Sequence, residues 1–274
     1  MSESIANILD FKKYTNDRSL AFDFSLNSDI TIIDFNNSGG SEPGRMDWDC
    51  ARYVRYYGAN YVSIYGSGSR RSDRTFIYRF CIDGLPGFDL KNDPFYLSSV
   101  LYELVIKRNN SKYVIFLADC AGAYNALWVS QNMPVNAMIL TNPAIAISTT
   151  AFIEFGFTAD KLIGYAVREK AFGSSSVLKQ HTDAFPILMQ CKNLGIKIDC
   201  HWPKYPIKSD AIEKQRVTEI KNKNNLNIIE HDIPKEVNPH HLYAWLNQTS
   251  KYYRYVKDEV NMGKIFVNAL KGIS

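Results

Sequence analysis

The sequence predicts an α/β protein in three layers, with a mostly parallel central sheet and helices on both of its faces. Three observations lead there. Apolar runs of strand length recur along the chain, as strands buried inside a covered sheet require. Segments of helical period lie between them, the alternation that crossover connections produce. The 274 residues, 46% hydrophobic and 22% charged, suffice for a full core, and no Pro/Gly/Ser-rich or charge-run linker divides them, so a single domain over residues 1–274 is expected.

Residues 1–28 read as an N-terminal edge segment. Leu20–Leu26 alternates with period two, which suits an antiparallel hairpin on the edge of the sheet. Strands are then expected at Ile30–Phe35, Tyr61–Tyr65, Tyr113–Leu117, Ala137–Leu140, Ile196–His201 and Leu226–Glu230. Trp48–Tyr57 has acidic residues in its first turn and stops before Gly58, a helix pattern. Phe95–Lys107 carries Leu97, Val100, Leu101, Leu104 and Val105 on one face, with Asn109-Asn110 as its stop. Ala123–Gln131 comes directly after a strand, Asp210–Lys223 opens with Ser209-Asp210 as a cap, and a terminal helix begins near Leu242. Residues 148–180 exceed what one connection needs and lack clean periodicity; an insertion of this kind is expected to act as a lid.

Charge and cysteine usage exclude several classes of function. Lys+Arg 32 against Asp+Glu 28 gives +4, and the basic residues are scattered, which speaks against nucleic acid as a partner. The N-terminus lacks the apolar core of a secretory signal and no apolar run has the length of a membrane span, so a cytoplasmic protein is expected. Cys50, Cys81, Cys120, Cys191 and Cys200 are odd in number with no C-x-x-C pair, a poor basis for disulfides or zinc. The histidines show no i,i+4 or H-x-H spacing, and no metal site is expected. Gly66-x-Gly68 comes after a strand, but the third glycine of a dinucleotide fingerprint is replaced by Arg71, so no cofactor is expected either. The high aromatic content, 13%, is read as amphipathic rings on strands and core rims.

One stretch has chemical content. Tyr113–Leu117 runs through Ala118-Asp119-Cys120-Ala121-Gly122 into a helix of small and apolar residues with no loop between. Small residues flanking a strained turn set the central side chain clear at the C-terminal edge of the sheet. A cysteine at a helix start has the dipole's help in forming thiolate, the attacking species in acyl transfer. This strand-turn-helix context resembles the nucleophile elbow of the α/β-hydrolase superfamily, with Cys120 where serine is usual and Ala118 in place of the first glycine. The resemblance extends over residues 28–274 and implies that fold.

It also implies further roles. The base belongs after the last strand, where Asn238-Pro-His-His supplies His240 and, as the close second, His241. The acid belongs after Ile196–His201; Asp210 is the one carboxylate in that loop and competes as a helix cap, while Asp199 and Asp232 would need altered geometry. Oxyanion donors would be the N–H of Ala121 and that of Asn37 or Ser38, in a loop resembling the superfamily's H-G-x-G-G segment with Asn36-Asn37 in place of His-Gly. Arg70, Arg71 and Arg74 would hold an anionic group of the substrate if their loop opens at the same edge. Two functions are compatible with these roles: an esterase, thioesterase or acyltransferase acting on a small-molecule or glycan-linked acyl substrate, or a non-catalytic binding or accessory protein of the same fold, as in bacterial surface-polysaccharide biosynthesis or secretion.

Overall fold

A computed structural model describes residues 20–24, 26–36, 58–65, 94–146, 183–220, 222–246 and 261–271. Among them, seven strands form one sheet: β1 (Leu20–Asp23), β2 (Ile30–Asn36), β3 (Asn60–Tyr65), β4 (Tyr113–Asp119), β5 (Ala137–Thr141), β6 (Lys197–Pro203) and β7 (Leu226–His231). Their spatial order is β1-β3-β2-β4-β5-β6-β7, with β2 to β7 parallel and β1 antiparallel on β3. Chain order reverses at β2, so the segments after β2 and β4 leave the same sheet edge in opposite directions, where open α/β sheets form their clefts.

The described helices are α1 (Pro94–Leu101), continued by a π-helical stretch Tyr102–Arg108, α2 (Ala121–Val129), α3 (Phe185–Asn193), α4 (Lys208–Thr218), α5 (Leu242–Leu246) and α6 (Met262–Lys271). Alternate strand residues divide between two cores. Val114, Phe116 and Ala118 of β4 pack with Leu97, Tyr124, Leu127, Leu188 and Val217 of α1 to α4 and with Leu104 of the π-helical stretch. Ile115 and Leu117 face the other way, among Leu242, Trp245, Leu246, Met262 and Phe266 of α5 and α6. Burial on both faces is why these strands read as continuous apolar runs.

Several expectations are refined in detail. β1 lies antiparallel on the sheet edge, paired with β3, Leu20 opposite Ile64 and Asp23 opposite Tyr61, and the other strand of a hairpin within residues 1–28 would fall before residue 20, outside the described residues. Both edges of β2 are already taken by the parallel strands β3 and β4. The helix expected over Phe95–Lys107 widens to π geometry in its second half, where Asn109 Nδ2 donates to the Leu104 carbonyl five residues back at 2.6 Å. The terminal helix expected from Leu242 does begin there, as α5; α6 comes later in the chain, and residues 247–260 between them lie outside the described residues. The helix expected at Trp48–Tyr57 and the insertion at 148–180 lie outside the described residues.

The residues that border that insertion meet. Ala146 and Asp183 form an isolated antiparallel bridge, and the Ala184 N–H donates to the Ile145 carbonyl at 3.1 Å. Buried Glu213 accepts from the Ala146 N–H at 3.0 Å, and Arg216 reaches Glu213 at 3.2 Å and Asp183 at 2.7 Å.

Helix and sheet come into backbone contact at Gly122, where a Cβ would lie 2.0 Å from the Phe35 carbonyl oxygen of β2. Gly122→Ala is therefore expected to destabilise the protein by about 3 kcal/mol or more, since neither backbone yields cheaply. Gly195→Ala meets nothing within 4 Å and strains only a φ of +85°, for about 1 kcal/mol. Chemical denaturation of the two variants against wild type measures both.

Candidate active site

β4 ends at Asp119, and the chain turns at Cys120 with φ 48° and ψ −119° before α2 begins. No residue with a Cβ adopts that conformation unless its surroundings hold it. Here the Cys120 N–H donates to the Thr141 carbonyl at 2.9 Å, and the Cys120 carbonyl accepts from the N–H groups of Ala123 at 3.1 Å and Ala144 at 3.0 Å. The missing side chain at Gly122 lets α2 start directly beneath β2. The result is a buried thiol at the C-terminal edge of the sheet, at the head of a helix.

The imidazole of His240 is the hydrogen-bond partner of the Cys120 thiol. His240 sits in a one-turn 3-10 helix, Pro239–His241, whose entry is set by Asn238: its Oδ1 accepts from the His240 N–H at 3.0 Å. The ring's Nδ1–H donates to Asp210 Oδ2 at 3.2 Å. His241 comes next in the same turn with its N–H on the Asn238 carbonyl at 2.8 Å. Of the two candidate histidines, then, it is His240 that joins thiol to carboxylate.

Asp210 does not cap α4. The capping position is Ile207, extended at φ −67° and ψ 168°, and the helix starts at Lys208, which moves Asp210 into the first turn with its side chain buried against His240. The other two carboxylates are engaged elsewhere or exposed: Asp199 accepts from Asn227 Nδ2 at 2.7 Å, and Asp232 lies at the surface beyond β7.

These contacts set the proton affinities. Asp210 first, and the Cys120 hydrogen bond second, hold His240 well above imidazole's usual range, against the opposing effect of burial. Burial pushes the Cys120 thiol up, and His240 pulls it back. Asp119, also buried, is raised to about 7 by desolvation although Thr141 Oγ1 donates to it at 2.7 Å. Cys191 and Cys200 are buried and raised as well, and Cys191 has Ser130 as its neighbour at 3.2 Å.

Of the expected oxyanion donors, Ala121 is the first residue of α2, so its N–H has no acceptor within the helix. Asn37, Ser38, Arg70, Arg71 and Arg74 lie outside the described residues, as do Cys50 and Cys81. Among the described residues no three His, Cys, Asp or Glu side chains gather as a metal would require, and no helix is long and apolar enough to cross a membrane.

Two buried polar clusters have no local signature in the sequence. Asp34 of β2 is fully buried and accepts from Tyr61 O–H at 2.6 Å and from Tyr243 O–H at 2.7 Å, both on Oδ2, which fastens α5 to the sheet three residues after His240. His201 and His231, on adjacent strands, are stacked with centroids 5.2 Å apart and joined Nδ1 to Nε2 at 2.9 Å, with Trp245 edge-on to His231.

No family model and no curated protein matches this sequence. Solved structures do match it. The carboxylesterase Cest-2923 from Lactobacillus plantarum WCFS1 is similar with a TM-score of 0.53 at 10% identity, over 89% of this chain and 86% of that one. Carboxyl esterase 2 from the mycorrhizal fungus Tuber melanosporum gives 0.50 at 14%, over 90% and 79%. The capsule O-acetyltransferase of Neisseria meningitidis serogroup A gives 0.50 at 10%, over 77% and 80%. At such identities the likeness is one of fold.

Burial lowers His201 to about 3 and His231 to about 4, so the folded protein keeps both neutral while the unfolded chain takes up protons below about 6.5. The contribution of this histidine pair to stability is expected to be complete above that value and to fall progressively as pH drops from it toward 4, while Asp119, raised to about 7, contributes with the opposite sign over the same range, so the pair's share is read as the difference between wild type and a variant lacking it. Urea denaturation near neutral pH and at about pH 5 measures the loss, and His231→Gln should make it smaller.

Proposed function

We propose that this chain, an α/β-hydrolase by its fold, is an acyl-transfer enzyme with a Cys120–His240–Asp210 triad. The observation that carries the reading is a single one: a cysteine held at φ 48° on the strand-to-helix turn, hydrogen-bonded to an imidazole whose Nδ1–H is 3.2 Å from a buried carboxylate. Fold likeness to two carboxylesterases and a capsule O-acetyltransferase supports it.

In this reading His240 takes the thiol proton as the Cys120 sulfur attacks an ester or thioester carbonyl. The oxyanion that forms is held by the Ala121 N–H, with a second N–H from Asn37 or Ser38. Collapse breaks the bond to the leaving group, which departs with the proton from His240 and leaves an acyl-thioester on Cys120. Water or an alcohol then gives its proton to His240, attacks the acyl carbon, and releases Cys120. Water makes the enzyme an esterase or thioesterase; a sugar hydroxyl makes it an acyltransferase. Asp210 keeps the proton on Nδ1 so that the other ring nitrogen faces the sulfur. Arg70, Arg71 and Arg74 would hold an anionic part of the substrate, and the chemistry calls for no cofactor.

The burial of Cys120 favours a second reading, a non-catalytic binding or accessory protein in which the thiol is a packing residue.

Cys120→Ala is expected to abolish turnover of p-nitrophenyl acetate and of an acetyl thioester, and His240→Ala to cost about 10²- to 10⁴-fold. Iodoacetamide should label Cys120 much faster than Cys191 or Cys200, a preference lost in His240→Ala; one slow rate for all three leaves only the second reading. The active pair shares one proton, and both of its groups are held up, so the acidic limb of the pH–rate profile should lie above imidazole's 6.5. Asp210→Asn removes the largest cause and should move that limb to lower pH while lowering the plateau.

A further inference from the structure

Asn142 links the backbone around Cys120 to the backbone around His240. It comes directly after β5, with Thr141 before it accepting the Cys120 N–H at 2.9 Å and Ala144 after it donating to the Cys120 carbonyl at 3.0 Å. Its own N–H donates to the His201 carbonyl of β6 at 2.9 Å. Its side chain crosses to the turn of the base, where Nδ2–H donates to the Pro239 carbonyl at 3.1 Å, the residue next to His240. A segment of four residues thus grips the backbone of Cys120 and, at Pro239, the turn that carries His240, with Asn142 and Pro239 97 positions apart in sequence.

This residue is unfavourable by the ordinary rules. It is fully buried, its φ is +43°, and its Oδ1 has no hydrogen-bond partner. Glycine would relieve the backbone, and any apolar residue would spare the orphaned oxygen. An asparagine answers to the one thing neither supplies, a side-chain donor aimed at Pro239. Proton transfer between thiol and imidazole tolerates little change in separation. We infer that Asn142 is a positioning residue, which sets the distance between Cys120 and His240 by tying the His240 turn to the strand end that holds the Cys120 backbone. The inference rests on the proposed Cys120–His240 chemistry for its purpose, and on the geometry alone for its existence.

The test uses the full-length chain with Asn142→Gly, which keeps the left-handed backbone and removes the amide. The titration of the His240 ring nitrogens is followed by NMR, and turnover of p-nitrophenyl acetate is measured in parallel. The variant is expected to keep its melting temperature, to lose about 100-fold in kcat with little change in KM, and to show His240 titrating closer to an unperturbed imidazole. A His240 titration identical to wild type overturns the inference, also where the melting temperature falls, because that is the mark of a merely structural residue. A wild type without turnover of the ester defeats the catalytic reading instead, and the comparison of titrations still decides the role of Asn142. Should the variant fail to fold, wild-type spectra serve: Asn142 amide protons that exchange slowly and shift in step with His240 support the tie, and freely exchanging ones overturn it.

Discussion

Cys120 at φ 48° and ψ −119° is the constraint from which the rest of this structure can be reasoned. A side chain in that region of backbone space is tolerated when neighbouring groups determine the conformation more strongly than local sterics oppose it. Three backbone hydrogen bonds do so, from the residues at 123, 141 and 144. Two of these come from the end of β5 and the segment behind it, so the turn depends on the β4–β5 pairing being in register, with Ala118 opposite Leu140 and Asp119 opposite Thr141. The absence of a Cβ at Gly122 is the other half of the arrangement, because α2 must begin where β2 passes.

From that turn outward, the parallel sheet does the positioning. β4, β5 and β6 end at one edge, and the segment behind each strand supplies one part of the site: Cys120 after β4, the Asn142–Ala144 segment after β5, Asp210 in α4 after β6. His240 comes after β7 and must reach back past β6 and β5 to meet the turn after β4. Its turn is fastened on both sides, at Pro239 through Asn142 and at Tyr243 through Asp34. Desolvation raises the carboxyl of Asp119 and the thiol of Cys120 and opposes the charge on His240, while the specific partner of each decides how far.

Much of this could be read in the chain itself. Strands buried on both faces announce themselves as apolar runs, and the elbow is legible because strand, small residues and helix are contiguous from Tyr113 to Trp128. The order of nucleophile, acid and base along the chain directed attention to Asp210 and to the histidine pair, but placed His240 only narrowly ahead of His241 and could not decide whether Asp210 capped a helix. Both choices depend on where a turn begins, to within a single residue. What stayed illegible was three-dimensional pairing. Asp34 and Tyr243 are 209 residues apart, and His201 and His231 meet across adjacent strands, with nothing near any of them in sequence to mark the partner. Asn142 is a single polar residue after an apolar strand, which sequence reasoning takes for an ordinary turn.

The bridge between Ala146 and Asp183 gives the fold a kind of socket. Because the chain leaves and returns at one point, clasped there by Glu213 and Arg216, its ends impose no span on whatever lies between. The cost of lengthening such a closed excursion grows only logarithmically with its length. Residues 147–182 can therefore be shortened, extended or exchanged for a different sequence during divergence with the register of β4, β5 and β6 left as it is. One scaffold can in this way carry different inserted sequences two residues from Ala144, whose N–H holds the Cys120 carbonyl, while the turn at Cys120 stays fixed.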